Sequence, residues 1–172
     1  VSIPYGCLTC VTGVSGSGKS TYLREHIKEY KNPIRIDSDE TRRVMFGSYL
    51  TFPKNMYIIY DHMIEIANNL YDKYKDKDLT IIMDSTFLDN FKREHFINLL
   101  KPFDYYKLII FKTTDLNFNF ANNKKRIKEK WVPENVILNM VKEIEPLSPY
   151  LMNKFNSIIE ISVPKYKETI IK

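Results

Sequence analysis

The chain has 172 residues, 44% of them apolar and 27% charged, which is typical of one globular domain with a single substantial core. No apolar run is long enough to span a membrane, and the first residues lack the pattern of a signal peptide. We therefore expect an intracellular, cytoplasmic protein without a membrane partner; a nuclear location is also compatible. The net charge of +5 favours an anionic partner, either a nucleotide or a nucleic acid.

The first half of the chain alternates predicted strands and helices. An apolar strand over residues 5–12 runs into a glycine-rich turn and a helix, Lys19–Tyr30. Residues 34–36 form a short second strand that ends at Asp37, and a helix is expected over Glu40–Phe46. Cys7 and Cys10 lie in the first strand, so we interpret them as buried small hydrophobic residues rather than a redox pair or zinc ligands.

The second half continues the alternation. After Pro53, a set of apolar residues falls on one face of a long predicted helix: Met56, Ile59, Tyr60, Met63, Ile66, Ala67 and Leu70. The further expected elements, in order, are a strand over 79–83, a helix over 91–100, a strand over 106–111, a basic helical stretch to Lys130, a helix from Pro133 to Pro146 and a strand over 157–163. The tail from Lys165 is predicted to be peripheral.

This order of elements predicts an α/β fold for residues 1–172 as a single domain. Strands that alternate with helices form a three-layer structure with a mostly parallel sheet, here five-stranded, and helices on both faces. Ligands bind such sheets at the carboxyl ends of the strands. The polar residues 13–20, 37–42 and Asp84 all fall at such ends.

Residues 13–20 match the phosphate-binding pattern Gly-x4-Gly-Lys-[Ser/Thr] between a strand and a helix. Glycines let successive backbone N–H groups point at phosphate oxygens, and the helix N-terminus adds partial positive charge. Lys19 can reach the β- and γ-phosphates, and the Ser20 hydroxyl can bind Mg²⁺. The predicted NTP-binding residues of this loop are Gly13, Ser15, Gly16, Ser17, Gly18, Lys19, Ser20 and Thr21. The predicted cofactors are therefore ATP, or another NTP, and Mg²⁺.

Asp39 is the candidate general base. A carboxylate after the second strand can face the γ-phosphate and accept the proton of an attacking hydroxyl. Arg42 lies one helical turn further on and is the candidate for an acceptor phosphate or for orienting the base. The alternative is that Asp39 only caps the helix and Arg42 is a surface charge.

Asp84 follows the third strand, where a carboxylate can hold Mg²⁺ through water or steady Arg42; alternatively it caps the next turn. A water-mediated metal contact is also possible for Asp39. Thr86 is a further candidate for substrate binding.

A basic run precedes Trp131, and it predicts a lid over about residues 122–132. Arg126 is the candidate lid arginine, in contact with the nucleotide and neutralising charge on the transferred phosphoryl group, because its planar fork matches phosphate geometry. Trp131 is expected to be buried under the lid, with stacking on a base as the alternative. For the basic run itself, the alternative is a solvated basic face.

Four stretches together resemble the polynucleotide 5′-kinase family of P-loop kinases: GVSGSGKST, IDSDETRR, TIIMDSTFLDNFKREHF and NKKRIKEKWVPENVILNMVKEIEPL. The resemblance covers roughly residues 8–147. It implies a P-loop kinase fold with a small basic lid, which moves the γ-phosphate of an NTP to a 5′-hydroxyl end of DNA or RNA. It also implies that Lys19, Asp39 and Arg126 are catalytic, that Arg42 contacts the acceptor phosphate, and that Asp84 supports Arg42.

The predicted function is thus an ATP-dependent polynucleotide 5′-hydroxyl kinase, with nucleic acid 5′ ends as substrate. Fusion to, or association with, repair or ligase domains outside this chain is a further expectation. The alternatives are a kinase for a nucleoside, tRNA-linked or other small-molecule hydroxyl, and a non-catalytic NTP-binding module.

Overall fold

Six strands form one twisted sheet in the computed structural model, which describes residues 6–74 and 76–172. The strands are β1 (Gly6–Gly13), β2 (Pro33–Asp37), β3 (Leu79–Asp84), β4 (Tyr105–Thr113), β5 (Ser157–Val163) and β6 (Lys167–Ile170). Their spatial order is β2-β3-β1-β4-β5-β6, with the first five parallel. The mostly parallel sheet is as predicted; Tyr5, the first residue of the predicted β1, lies outside the described residues.

Helices cover both faces of the sheet. They are α1 (Lys19–His26), α2 (Ser38–Phe46), α3 (Tyr57–Tyr74), α4 (Asn90–Leu99), α5 (Leu116–Lys125), α6 (Glu134–Glu143) and α7 (Pro149–Lys154), with 3₁₀ turns at Ile27–Glu29 and Lys128–Lys130. Helix α2 begins two residues earlier than predicted because Asp37 caps it, accepting a hydrogen bond of 2.7 Å from the backbone N–H of Glu40. The short helix α7 was not predicted. No helix in the described ranges is long and apolar enough to cross a membrane.

Strand β1 is the centre of the core, and every one of its residues is buried. Leu8 and Cys10 pack on one face with α3, whereas Val11 packs on the other with Leu23 of α1. Cys7 and Cys10 are buried free thiols, as predicted. Because β1 lies between β3 and β4, its carboxyl end opens onto both neighbours, and this position determines where the glycine-rich loop emerges.

The tail forms a sixth strand that the sequence did not predict. Strand β6 pairs antiparallel with β5 from Ser162↔Lys167 to Ile159↔Ile170, and all its residues are exposed. It escapes prediction because Lys-Glu-Thr-Ile has no apolar alternation and covers no core. The turn before it brings Tyr166 against Gly18, so the tail is not peripheral to the glycine-rich loop.

Candidate active site

A cavity of about 470 Å³ opens at the carboxyl ends of β1, β2 and β3. It collects most of the predicted site residues: Ser15, Gly16, Ser17, Gly18, Lys19, Ser20, Thr21, Asp39, Asp84, Thr86 and Arg126. Gly13 lies beneath the loop, where its N–H donates to the Thr86 carbonyl at 3.2 Å. Arg42 lies behind Asp39 and does not line the cavity.

The glycine-rich loop requires glycine at two positions. Gly16 and Gly18 have φ angles of 80° and 86°, in the left-handed region that side chains disfavour. A Cβ on Gly16 would come within 2.2 Å of the Asn119 carbonyl oxygen. The backbone therefore curls closely against α5, and a tight curl of this kind is the shape in which successive loop N–H groups can surround a phosphate.

Two amides of α5 hold this loop from behind, and the sequence did not identify either of them. Asn119 donates to the Ser15 carbonyl at 3.1 Å, and Asn122 donates to the Gly16 carbonyl at 2.9 Å. Asn119 is fully buried, and its Nδ2 also donates to the Thr113 hydroxyl at 3.0 Å, so both hydrogens of this amide have protein partners. No single-residue signal marks these amides, because asparagine is common on helix surfaces; Asn122 stands in a polar run, and Asn119 stands between two phenylalanines.

Lys19 is folded back against the loop. Its Nζ donates to the Gly13 carbonyl at 2.8 Å. Burial lowers the pKa of Lys19, and the carboxylates of Asp84 and Asp39 partly oppose that shift. An incoming phosphate would replace the carbonyl as partner and would favour the charged form of the lysine.

Asp39 lies between two arginines. Its Oδ1 accepts from Arg42 at 3.1 Å, and its Oδ2 accepts from Arg126 of the lid at 2.8 Å. Burial acts to raise the pKa of Asp39, but Arg126 and Arg42 outweigh it, so the pKa lies below the ordinary value of 3.8. Asp39 therefore stays ionised in the cavity, as a proton acceptor must.

Arg42 is almost fully buried, with 6% of the residue exposed. Besides Asp39, it donates to the Tyr49 carbonyl through Nε and Nη2, at 3.2 and 3.0 Å. The ring of Phe52 covers its guanidinium at 4.1 Å. These contacts fit the prediction that Arg42 orients the base, and they leave less of its guanidinium open to an acceptor phosphate.

Asp84 pairs with an arginine that the sequence analysis did not consider. Its Oδ2 accepts from Arg35 of β2 through Nε at 3.0 Å and Nη2 at 2.5 Å, so Asp84 contacts Arg35 instead of the expected Arg42. Nη2 of Arg35 also donates to the Ser20 hydroxyl at 3.2 Å. Arg35 was missed because it lies inside a strand, where alternation alone does not show that a side chain faces the cavity.

A third carboxyl group, that of Asp37, lies beside Asp84 in the sheet register. Burial and the nearby carboxylates of Asp84 and Asp39 raise the pKa of Asp37, although the hydrogen bond from Glu40 and the charge of Arg35 oppose the rise. The protein thus keeps several acidic groups at one edge of the cavity by supplying arginines around them.

Of the predicted lid, residues 122–125 belong to α5, and the remainder is a loop with a 3₁₀ turn that is closed by one buried amide. Asn123 of α5 donates to the Val132 carbonyl at 2.7 Å and accepts from the Val132 N–H at 2.9 Å. The Trp131 indole donates to the Arg126 carbonyl at 2.8 Å. Trp131 is 45% exposed, so the expectation that it is buried under the lid is wrong. The indole N–H finds its hydrogen-bond partner, the Arg126 carbonyl, at the surface of the loop, and this contact keeps the ring there.

The side chains of Ser20 and Asp84 fit a Mg²⁺ ion bound with a nucleotide. One nitrogen of Arg35 reaches both the Ser20 hydroxyl and the Asp84 carboxylate, so both oxygens lie within reach of one hydrated ion. Mg²⁺ in phosphoryl-transfer sites takes one or two protein oxygens together with water and phosphates. Across the described ranges, no three His, Cys, Asp or Glu side chains converge on one point.

The fold is similar to that of known P-loop proteins. Residues 8–147 match the AAA domain family. No curated protein matches the chain. Solved structures do match: one from the Pnkp1/Rnl/Hen1 RNA repair complex has a TM-score of 0.68 at 20% identity, over 99% of this chain and 50% of that one. The present chain thus spans about half the length of that relative.

Two further structures cover this chain and their own more evenly. A sugar kinase from Janibacter sp. HTCC2649 has a TM-score of 0.63 at 15% identity, over 92% of this chain and 86% of that one. Kti12 of Chaetomium thermophilum, in complex with ADP-AlF3, has a TM-score of 0.61 at 15% identity, over 91% and 89%. At these identities the likeness shows the fold alone. With the family match over residues 8–147, the chain belongs to the AAA domain family, within the P-loop kinases.

Proposed function

We propose that this P-loop kinase transfers the γ-phosphoryl group of ATP, or another NTP, to a 5′-hydroxyl end of DNA or RNA. The observation that carries the proposal is the position of Asp39, an ionised carboxylate that faces the phosphate-binding loop across one cavity and is held there by two arginines. A plain NTP-binding module has no need of a carboxylate in that place. The resemblance of four sequence stretches to polynucleotide 5′-kinases supports the choice of acceptor.

The chain's own residues suffice to orient an in-line displacement. The N–H groups of the loop and Lys19 would bind the β- and γ-phosphates, and Ser20 and Asp84 would hold Mg²⁺. Mg²⁺, when bound with the nucleotide, supplies neutralising charge on the phosphate oxygens. Asp39 orients the attacking hydroxyl and accepts its proton as the new O–P bond forms and the bond to the leaving ADP breaks.

Arg126 changes partner in this scheme. In the structure it pairs with Asp39, and it lies on the lid at the rim of the cavity. A triphosphate in the cavity offers the guanidinium more negative charge than one carboxylate does. Once an acceptor is also bound, Arg126 would shift to the transferred phosphoryl group, stabilise it and release one oxygen of Asp39 to the acceptor.

A small-molecule hydroxyl is the second candidate acceptor, and one observation favours it. Arg42 is buried and bonded to Asp39 and Tyr49, so it is less available to an acceptor phosphate than the resemblance implies. The sugar kinase of similar fold is compatible with this alternative. The expected association with repair or ligase domains outside this chain also remains a proposal, which the RNA repair complex of similar fold makes worth testing.

A transfer assay separates the candidates. The protein is incubated with γ-labelled ATP, Mg²⁺ and 5′-hydroxyl oligonucleotides of DNA or RNA, in parallel with nucleosides, simple sugars and no acceptor. Label on the oligonucleotide supports the proposal, and label only on a small acceptor selects the second candidate. Release of phosphate alone, or no turnover with intact nucleotide binding, would contradict the kinase proposal.

Replacing Asp39 with Asn tests the general base. We expect kcat to fall about 10²- to 10⁴-fold, because the amide cannot accept the proton, while the affinity for ATP changes little. The matched control is Asp72→Asn, which removes an exposed carboxylate that lies 3.7 Å from Lys101 on the surface. Transfer at the normal rate by a folded Asp39→Asn protein would remove the assignment.

A further inference from the structure

Arg35 occupies an unusual place for a strand residue. It lies on β2, at the edge of the sheet, and its side chain is 28% exposed. From there the guanidinium reaches into the nucleotide cavity, where it contacts Asp84 twice and the Ser20 hydroxyl once. Its Nη2 also lies 3.9 Å from the Asp37 carboxylate.

The two partners of Arg35, Asp84 and Ser20, suggest what its guanidinium does at this position. The Asp84 side chain is only 7% exposed, and an ionised carboxylate that deep needs a cation beside it. Ser20 and Asp84 are also the two protein oxygens best placed for a Mg²⁺ ion that enters with a nucleotide. Arg35 already occupies Oδ2 of Asp84 and one lone pair of the Ser20 hydroxyl, so a metal ion that used these same oxygens would have to share them with the guanidinium or displace it.

We propose that Arg35 is a positioning residue that acts as a resident cation at the metal site. Its guanidinium holds Asp84 and Ser20 in place before the nucleotide arrives. It yields Ser20 when Mg²⁺ binds with the nucleotide, and it stays beside the phosphates as a second positive charge. This inference rests on the proposed nucleotide binding and concerns how strongly that binding depends on metal.

Two consequences follow from such an exchange. Without Mg²⁺, Arg35 still offers positive charge next to the phosphates, so the wild-type protein should keep appreciable affinity for a nucleotide. With Mg²⁺, part of the metal's binding free energy is used to displace the guanidinium from Ser20. Removal of the charge of Arg35 should therefore weaken metal-free binding and increase the gain in affinity that Mg²⁺ provides.

The experiment measures this gain directly. Binding of a fluorescent ADP analogue is titrated in EDTA and in excess MgCl₂. The Kd in EDTA divided by the Kd in MgCl₂ gives the gain in affinity that Mg²⁺ provides, and this quotient is the ratio compared below. Arg35→Gln is the main variant, because glutamine loses the charge but keeps a donor for Asp84. We expect its ratio to exceed the wild-type ratio by about fivefold or more, from the loss of charge-assisted hydrogen bonds.

Two further variants are compared with Arg35→Gln, one as a control for the general charge of the cavity and one as a conservative change. Arg24→Gln is the matched control: Arg24 is an exposed arginine that lines the same cavity and bonds to Thr21, so its ratio should equal that of the wild type. Arg35→Lys keeps a point charge but cannot fork between two oxygens, and we expect a smaller rise than with glutamine. Melting temperatures establish that each variant is folded, and if Arg35→Gln does not fold, Arg35→Lys decides the question.

The outcomes separate the two proposals. A ratio in a folded Arg35 variant that equals the wild-type ratio would overturn the role of Arg35 and leave the kinase proposal intact. Failure of the wild-type protein to bind the analogue under either condition would instead contradict nucleotide binding itself. An equal rise in Arg24→Gln would show that only the general charge of the cavity matters, and this too would overturn the specific role.

Discussion

For Asp39, the position in the chain could be predicted from the sequence, but the contacts of its carboxylate could not. Its Cα position follows from a motif, a carboxylate just after the second strand, and so the sequence could predict it. Its chemistry depends on Arg126, which is 87 residues away along the chain and donates to it at 2.8 Å. Arg35 and Asp84, separated by 49 residues, form a similar pair that no local pattern reveals. Positions that a local motif defines were predictable, whereas pairs made by the fold were not.

The pH dependence of Asp39 follows from those pairs. Burial acts against ionisation, but Arg126 and Arg42 hold the folded pKa of Asp39 below 3.8, so it stabilises the fold at neutral pH. That stabilisation is lost as the pH falls through the folded pKa. We expect Arg126→Gln to raise the midpoint of the Asp39 titration, measured by the ¹³C shift of its carboxyl carbon. Lys125→Gln removes a nearby cation without this contact and should leave the midpoint almost unchanged; an unmoved midpoint in Arg126→Gln would contradict the pairing.

Helix α5 is the element that connects the loop to the lid. Asn119 and Asn122 bind the glycine-rich loop, and Asn123 clips the lid at Val132. The sequence predicted a basic helical stretch to Lys130 here, whereas the helix ends at Lys125, and it did not predict the contacts because asparagines are usual on the solvated face of a helix. The buried strands β1 and β3 were easier, since continuous apolar runs determine them. Helix α7 has six residues, of which Leu151 is buried, and strand β6 has four exposed residues. Elements this short show no apolar periodicity in the sequence, so they were not predicted.

The clip made by Asn123 gives a prediction for this element. Asn123→Ala removes both hydrogen bonds to Val132 and leaves that backbone pair without its buried partner. We expect a loss of about 1–3 kcal/mol in the free energy of unfolding, together with faster hydrogen exchange over residues 127–131 and a raised KM for ATP. The control is Asn117→Ala, an exposed asparagine of the same helix. Equal exchange rates in both variants would show that Asn123 does not hold the lid.

At the scale of the whole molecule, the arrangement of the parallel sheet explains why one edge carries the chemistry. Strand β1 lies between β3 and β4, and Asp37 and Asp84 are neighbours in the register of β2 and β3. The order of elements predicted this edge, and it is where the cavity lies. The surface that binds the acceptor could not be predicted in this way, because no motif at the strand ends defines it. The net charge of +5 is the property of the whole chain that favours an anionic acceptor.

Salt dependence is the prediction at this scale. If the acceptor is a single-stranded 5′-hydroxyl oligonucleotide held by about three phosphate contacts, its affinity should fall roughly twentyfold between about 50 and 200 mM KCl. The Kd is measured by fluorescence anisotropy with a non-hydrolysable ATP analogue present. An uncharged nucleoside serves as control, since its binding releases no counterions. Oligonucleotide binding that does not change with salt would argue against contacts to a phosphate backbone.

The pairing of Asp39 with Arg126 also bears on how the protein treats ATP when no acceptor is present. A water molecule that enters the cavity finds the carboxylate already engaged on both oxygens, and it brings too little binding free energy to displace an arginine. A larger acceptor has many more contacts with which to do so. We therefore expect little futile hydrolysis, so that ATP is spared until the correct alcohol takes its place beside the base.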